Sequence, residues 1–301
     1  MSANGTASAM TGTRRLALAT VATVALALLS SCATGDDQEP EPSSAPMTTA
    51  PVEPSSTPTP TPAEVATSTV TVYSMVDTRN GLRLARESRD VPDGDLMVAA
   101  VGQMIAGPLD PDYASPWNPA TEVRGVDVAD GVIVVDLSAE ARTADIGSPG
   151  AMLMIQQLVY TVTDAAQDPA APVLLQIDGL PAGELWGAVT WDVPITRESP
   201  DAVRAYVQID EPREAADVTS PVTVSGDAIA FEANVPWQIL DADGVEIASG
   251  ATLTSEGQTF APYSFSVELP PGTYTIVVTE DDPSDGAGGV PSSDTKTITV
   301  G

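Results

Sequence analysis

The feature that most constrains the fold of this chain is its cysteine content, because Cys32 is the only cysteine. One cysteine cannot form a disulfide within the chain, so the folded part must be stabilised by packing alone. Hydrophobic residues make up 43% of the sequence, an ordinary share for a globular protein, whereas aromatic residues make up 4%. We therefore expect cores that consist mainly of small aliphatic side chains.

The N-terminus has the three parts of an export signal in the required order. Arg14 and Arg15 supply positive charge, and residues 16–29 form an apolar run. A run of about fourteen residues suits a signal peptide but is shorter than the ~20 residues that a membrane-spanning helix needs. We predict that residues 1–31 are a signal peptide that is removed on export.

The end of this segment, Leu29, Ser30, Ser31 and Cys32, resembles the bacterial lipobox at every position. In that motif the cysteine is diacylated and becomes the new N-terminus after cleavage. Two acyl chains hold a protein stably at a membrane, whereas one chain binds only reversibly. The resemblance implies a lipoprotein that is anchored on the extracytoplasmic face of the plasma membrane by diacylglycerol on Cys32. The alternative is an ordinary secretory signal with a cysteine nearby.

Residues 32–68 form a segment of Pro, Ser, Thr, Ala and acidic residues that cannot build a packed core. Proline favours the extended polyproline II conformation, which rises ~3.1 Å per residue. We predict a disordered stalk that lifts the remaining chain from its anchor. The Ser and Thr density also permits O-glycosylation, which the sequence does not establish.

Residues 69–198 alternate strand and helix signals in the order β-(β)-α-β-β-α-β. Asp93 or Asp95 can cap the first helix, Gly107 can end it, and Ser148 can cap the second. This order predicts a two-layer α+β domain with both helices on one sheet face. The segments with strand or helix periodicity are 70–73, 82–85, 96–105, 126–128, 132–135, 151–162 and 173–177.

Residues 203–301 show short alternating strands between turn residues and no helical spacing. About a hundred residues of this kind predict an all-β sandwich of the immunoglobulin type. Phe231 is predicted to fill its core.

Several motifs resemble those of a known pair of families. Residues 104–108, 128–138, 157–163 and 177–179 resemble the successive landmarks of the GerM-type sporulation and spore germination domain. The segments 220–226, 231–232 and 240–244 are similar to the immunoglobulin-like domain that often follows it in bacterial spore germination proteins. The resemblance implies cell-envelope proteins without established catalysis, similar to ring-building modules that pack against copies of themselves or against neighbouring proteins. Such domains are common in non-sporulating actinobacteria, so the family name does not imply sporulation.

The charged residues exclude several classes of function. The chain has no histidine, which excludes Ser-His-Asp and Cys-His nucleophiles and histidine-containing zinc sites. Its net charge of −30 repels phosphates, so nucleic acid is a poor partner. Ser293 and Lys296, the only lysine, spell S-x-x-K, but the surrounding residues alternate as in a strand, which directs the two side chains to opposite faces. We predict no catalytic residue, no metal site and no cofactor.

Forty-two acidic residues leave two weaker alternatives open. Two carboxylates could hydrolyse a glycosidic bond in the envelope, although an acidic surface is the more ordinary explanation. The loop from Glu280 to Asp285 could bind calcium, but it lacks the spacing of an EF-hand loop and is more typical of an acidic hairpin loop.

Three aromatic residues in turn-rich segments are candidate contacts for a partner: Tyr113, Trp117 and Trp186. Exposed aromatic side chains in loops often anchor a partner or a sugar ring. Capping of the core is the commoner role for such residues, and both interpretations stay open.

Together these features predict a noncatalytic, lipid-anchored envelope protein. Its two domains would make protein contacts, with an envelope protein or with copies of the chain, during envelope assembly or signalling. The alternatives are an extracytoplasmic protein that binds glycan or peptidoglycan, and a carboxylate-dependent glycan hydrolase.

Overall fold

The computed structural model describes residues 66–144, 146–282 and 287–301. These residues belong to one compact unit, in which an α+β domain precedes a β-sandwich, so the predicted fold class is confirmed. The predicted signal peptide, the lipobox with Cys32 and nearly all of the predicted stalk lie outside the described residues. None of the helices in the described ranges is long and apolar enough to cross a membrane.

The first domain opens with a long β-hairpin. Strand β1 (Thr67–Thr78) pairs along its whole length with β2 (Gly81–Pro92). Gly81 has a φ of 87°, a conformation that glycine adopts at little cost, and it closes the turn. The sequence predicted a second strand only at residues 82–85, because polar residues dominate the rest of β2. That prediction was too short, since buried Arg89 is ion-paired within β2 and the strand continues through it.

Helix α1 (Leu96–Ala106) has the end signals that the sequence predicted. The side chain of Asp95, rather than that of Asp93, accepts two backbone amides of the first turn at 3.1 and 3.2 Å. Gly107 follows the last residue with a φ of 92°. The loop after this glycine leads toward the second domain.

A four-stranded sheet completes the first domain in the order β3-β4-β5-β6. Strands β4 and β5 are parallel, and helix α2 connects them. The hairpin β1–β2 forms a sheet of its own instead of joining this one, which differs from the expected single sheet. The bounds are β3 (Val123–Ala129), β4 (Val132–Leu137), α2 (Ser148–Ala165), β5 (Val173–Ile177) and β6 (Leu180–Pro181), followed by β7 (Gly183–Leu185), β8 (Val189–Trp191) and α3 (Pro200–Val203).

Helix α2 is buried on nearly all sides and is hydrogen-bonded to the hairpin. Its Gln157 side-chain amide donates to the carbonyl of Tyr73 at 2.9 Å, and Thr161 accepts the Tyr73 amide at 3.1 Å. These bonds attach α2 to the backbone of β1. The helix begins at Ser148 with Gly147 as its N-cap, one residue earlier than predicted.

The second domain packs a five-stranded sheet on a three-stranded one. The five-stranded order is β10-β16-β15-β12-β13, in which only the β10–β16 pair is parallel, and the other sheet has the order β14-β11-β9. The core lies between them and contains Val224, Ile239, Tyr263 and Ile276. The bounds are β9 (Val207–Glu211), β10 (Ala216–Val218), β11 (Val222–Ala228), β12 (Asn234–Asp241), β13 (Glu246–Leu253), β14 (Ala261–Val267), β15 (Gly272–Thr279) and β16 (Ser293–Val300).

Phe231 does not fill this core, and the prediction that it does is wrong. It lies in the short 3-10 helix Phe231–Ala233, in which Glu232 has a φ of 52°, and its side chain is 53% exposed. Trp237 and Phe265 stack with ring centroids 4.5 Å apart instead. The one-turn helix between β11 and β12 therefore keeps Phe231 at the surface.

Candidate functional site

The most unusual site in the described residues is a polar seam where the two domains meet. The first domain contributes β2 and the loop after α1, and the second contributes β9, β11 and β16. We call this set of contacts the interdomain seam; its members are Arg86, Asp110, Tyr113, Arg204, Gln208, Asp210, Asp227, Asp294 and Lys296.

At one end of the seam, the only lysine of the chain is enclosed by acidic and phenolic groups. The Nζ of Lys296 donates to Asp110 Oδ2 at 2.6 Å, to Asp294 Oδ1 at 2.9 Å and to the Tyr113 hydroxyl oxygen at 2.9 Å. The Lys296, Asp110 and Asp294 side chains are at most 4% exposed. A buried charge is tolerated only when it is paired and hydrogen-bonded, and this lysine meets both conditions.

Local structure positions each member of this cluster. Alternation along β16 turns Asp294 and Lys296 inward, as the sequence predicted for the strand, and Ser293 outward. Tyr113 is held because the next residue, Ala114, exchanges two backbone hydrogen bonds with Met75 of β1 at 2.7 and 2.8 Å. The Ser293–Lys296 motif is therefore not a catalytic pair.

The electrostatics of the cluster follow from burial. Burial raises the pKa of Asp294 above its usual range, and the charge of Lys296 opposes this only in part. Burial raises the pKa of Tyr113 as well, with a further contribution from Asp294. For Lys296, burial acts to lower the pKa, but the carboxylates of Asp294 and Asp110 outweigh it and raise the pKa. The cluster can therefore hold protons at several closely spaced atoms.

The other end of the seam is an arginine clamp. Arg86 of β2 donates to both oxygens of Asp210 at 2.8 and 2.6 Å and to Asp227 at 3.1 Å. Arg204, which precedes β9, donates to Asp227 at 2.6 Å and lies over the ring of Phe260. One carboxylate of the second domain thus binds an arginine from each side of the junction.

Gln208 continues the hydrogen bonding of the hairpin into the second domain. Its amide nitrogen donates to the backbone carbonyl of Arg86 at 2.7 Å, and its amide oxygen accepts the Arg86 backbone amide at 2.9 Å. The amide nitrogen also donates to the Tyr113 hydroxyl oxygen at 3.2 Å. Gln208 is 1% exposed, so it joins the clamp and the lysine cluster inside the protein.

A cavity of about 290 Å³ lies beside the seam. Four basic residues line it, namely Arg86, Arg89, Arg213 and Lys296, although the whole chain has only twelve lysines and arginines. Four acidic residues line it as well: Glu87, Asp90, Asp210 and Glu214. The cavity is therefore polar and of mixed charge, and it opens next to Lys296.

The three candidate aromatic residues do not form an exposed contact surface, which was one of the two interpretations of these residues. Tyr113 and Trp117 are buried, so the prediction that they contact a partner is wrong. Tyr113 belongs to the seam, and Trp117 belongs to the core of the first domain. Trp186 is half-buried, packs edge to face on Trp117 at 5.6 Å and donates to the carbonyl of Ala141. The loops that carry them fold onto the molecule, because each ring finds a packing partner there.

The described residues show no site for either alternative based on acidic residues, the glycan hydrolase or the calcium loop. Within the described ranges, no group of three or more acidic, cysteine or histidine residues is arranged to hold a metal ion. Residues 283–286 of the proposed calcium loop lie outside those ranges, and Glu280 forms an ion pair with Arg79 at 2.7 Å. Asp110 and Asp294 are buried around one lysine, which leaves neither free to act on a glycan.

The sequence did not predict the seam. It predicted only the strand that carries Lys296. A signal was present, because the single lysine stands at an inward-facing position of a strand with an apolar alternation. Its partner Asp110 is 186 residues away in the sequence. Local patterns could not connect the two.

The comparisons with known proteins agree with this two-domain architecture. Residues 71–183 match the family model for sporulation and spore germination, and residues 206–287 match the model for the immunoglobulin-like domain of bacterial spore germination. No curated protein matches the chain significantly.

Among solved structures, the chain is similar to the first GerMN domain of the sporulation protein GerM from Bacillus subtilis. The two sequences are 19% identical, the match covers 43% of this chain and 98% of that chain, and the TM-score is 0.35. The tandem GerMN domains of the same protein show 17% identity, coverage of 67% and 62%, and a TM-score of 0.33. A putative lipoprotein from Clostridium perfringens shows 15% identity, coverage of 48% and 99%, and a TM-score of 0.32.

Proposed function

Since the chain carries a sporulation and spore germination domain followed by the immunoglobulin-like domain of bacterial spore germination, we propose that it is a noncatalytic interaction protein of the cell envelope. A lipid on Cys32 anchors it outside the plasma membrane, and residues 32–68 act as its stalk. The two domains work as one unit, whose outer surfaces bind an envelope protein or a second copy of the chain.

The interdomain seam is the observation that carries this proposal. Its polar groups bind one another within the chain: Lys296, Arg86 and Gln208 each bind a partner from the other domain, and Arg204 shares the carboxylate of Asp227 with Arg86. Such a junction suits a protein that holds two binding modules in a defined arrangement. The outer strands supply surface for contacts, because edge strands carry unpaired backbone groups that a partner strand can use.

Strand β13 is the most suitable of these surfaces. It is an edge of the five-stranded sheet, and it exposes the apolar side chains of Ile247 and Leu253, the latter to 67%. On a chain with a net charge of −30, exposed apolar groups at a strand edge favour contact with another protein. Strand β3, with exposed Val128, offers a similar edge in the first domain.

In-cell crosslinking tests the proposed contacts. A photoreactive residue at position 253 should crosslink the anchored protein to an envelope protein or to a second copy, because that side chain is exposed on the edge strand. The same residue at position 109, which is exposed on the loop after α1, is the control and should give little product. Equal yields at both positions, together with hydrolysis of peptidoglycan fragments by the purified protein, would contradict the proposal.

Replacement of Cys32 by alanine tests the anchor. The variant should move from the membrane fraction to the soluble extracytoplasmic fraction, because the diacylated residue is lost. Its melting temperature should stay unchanged, since the described fold begins more than thirty residues later. The matched control is Ser43→Ala in the stalk, which should stay with the membrane. If Cys32→Ala also sediments with membranes, the anchor lies elsewhere.

A further inference from the structure

Lys296 and Asp110 bring a primary amine and a carboxyl group into direct contact away from water. The Nζ lies 2.6 Å from Asp110 Oδ2, and both side chains are at most 4% exposed. The other oxygen of Asp110 accepts the backbone amide of Asp112 at 2.9 Å, which fixes the carboxyl group against the amine. The hydrogen bond thus places the amine beside the carboxyl carbon that it would attack, and well-oriented reactants held together react as if at an effective concentration of about 10⁵ M or more.

A second carboxyl group, that of Asp294, lies beside the Lys296 amine, where it could carry a proton. Asp294 Oδ1 is 2.9 Å from Lys296 Nζ and accepts the Tyr113 hydroxyl at 2.6 Å, while its Oδ2 accepts the backbone amide of Ile209 at 2.6 Å. These bonds hold Asp294 in place beside the amine. Burial raises its pKa, which lets it take up a proton and return it.

The choice of lysine at this position is itself informative. Every other ion pair among the described residues uses arginine, whose guanidinium does not form amides with carboxyl groups under ordinary conditions. The only lysine of the chain is placed in the interior between two carboxyl groups. With a single cysteine, the chain also has no disulfide available within it to join its domains.

We propose that Lys296 and Asp110 condense to form an intramolecular isopeptide bond, with Asp294 as the proton carrier, and that this bond links the two domains covalently. The reaction is a self-modification of the folded chain. It is independent of whether the proposed envelope function is correct.

The step balances without an external oxidant or co-reactant. A proton first passes from the Lys296 ammonium to the Asp110 carboxylate, which gives a neutral amine and a neutral acid at no change in total charge. This transfer runs against the raised pKa of Lys296, and the removal of two buried charges offsets its cost. The Nζ then attacks Cγ of Asp110, and Asp294 takes the proton that the nitrogen loses. Asp294 returns this proton to the departing hydroxyl, so the Nζ–Cγ bond forms, the Cγ–Oδ2 bond breaks and one water molecule leaves.

The surroundings favour the product. Lys296 lines the 290 Å³ cavity, into which the released water can escape. Two charges buried in the protein interior become one neutral amide, which removes much of their desolvation cost. The lysine that ties β16 to the loop after α1 would then hold the domains together permanently.

Intact mass spectrometry of the denatured full chain tests the proposal. The sequence mass is that of the polypeptide after processing at Cys32, and Lys296→Arg prepared in the same way calibrates it. Wild type should be lighter than its sequence mass by one water. Asp294→Asn should have its full sequence mass, because Lys296 and Asp110 are present but the proton carrier is not. The matched control Asp112→Asn alters an exposed neighbouring carboxylate and should still lose the water.

Peptide mapping separates this bond from cyclisation at an Asp-Gly pair such as Asp130–Gly131, which also releases water. The isopeptide should appear as one crosslinked fragment that contains residues 110 and 296, and it should survive mild alkali. Wild type with its full sequence mass would overturn the proposal, even if the variants failed to fold. A loss of water that persists in Lys296→Arg would overturn it as well.

Discussion

Replacement of Gly226 by alanine is expected to lower the free energy of unfolding by about 3 kcal/mol or more. Gly226 is buried in β11, at the point where the pairing of β11 with β9 shifts register. A Cβ added there would overlap the carbonyl oxygen of Gln208 and lie 2.8 Å from the Tyr263 hydroxyl. The obstacle is backbone rather than a mobile side chain, so β9 itself would have to move.

This displacement would spread into the seam. The Gln208 carbonyl accepts the Tyr263 hydroxyl at 2.8 Å, and the Gln208 side chain bonds to β2. Denaturant unfolding measures the effect. Gly125→Ala on β3 is the control, because nothing lies within 4 Å of an added Cβ there, and a change within about 0.5 kcal/mol is expected. Equal stability of both variants would mean that β9 can move at little cost, which would contradict close packing of β9 against β11.

Replacement of Asp227 by alanine is expected to lower the free energy of unfolding by about 2 to 3 kcal/mol. The carboxylate binds Arg204 at 2.6 Å and Arg86 at 3.1 Å, and all three side chains are less than 20% exposed. Without it, Arg86 keeps Asp210, whereas Arg204 loses its carboxylate partner. A buried guanidinium without a counter-ion is costly, so this loss dominates the change.

Chemical denaturation of two further variants tests this explanation. In the double variant Asp227→Ala/Arg204→Met the unpaired charge is gone, so part of the lost stability should return. The exposed pair of Arg124 with Glu122 supplies the control, since Glu122→Ala should change stability by less than about 0.5 kcal/mol. An Asp227→Ala effect no larger than the Glu122→Ala effect would show that the clamp contributes little.

The two variants address different parts of one junction. Gly226 permits the close approach of β9 to β11, and Asp227, the next residue, uses that approach to bind arginines from the hairpin and from the segment before β9. The lysine cluster lies against the middle of the same strand β9, where the Ile209 amide donates to Asp294. Steric fit and charge pairing therefore act on the same few residues.

Much of the fold could be predicted because its signals are local. The cap at Asp95 and the stop at Gly107 act within one helical turn, and the alternation of β16 sets which side chains face inward. The order of the main elements in the first domain and the all-β class of the second follow from such patterns. The hairpin was predicted too short for a related reason, since the polar residues of β2 lack an apolar pattern and are stabilised by partners elsewhere in the fold.

The sequence by itself determined the main elements of the first domain, the two-domain class and the opposite faces of Ser293 and Lys296, because these depend on residues only a few positions apart. Only the tertiary structure decided that Tyr113 and Trp117 are buried, that Phe231 is exposed and that Lys296 meets Asp110 across 186 residues. The physical reason is that burial and ion pairing between domains depend on how the two domains pack, and no local period in the sequence encodes that packing.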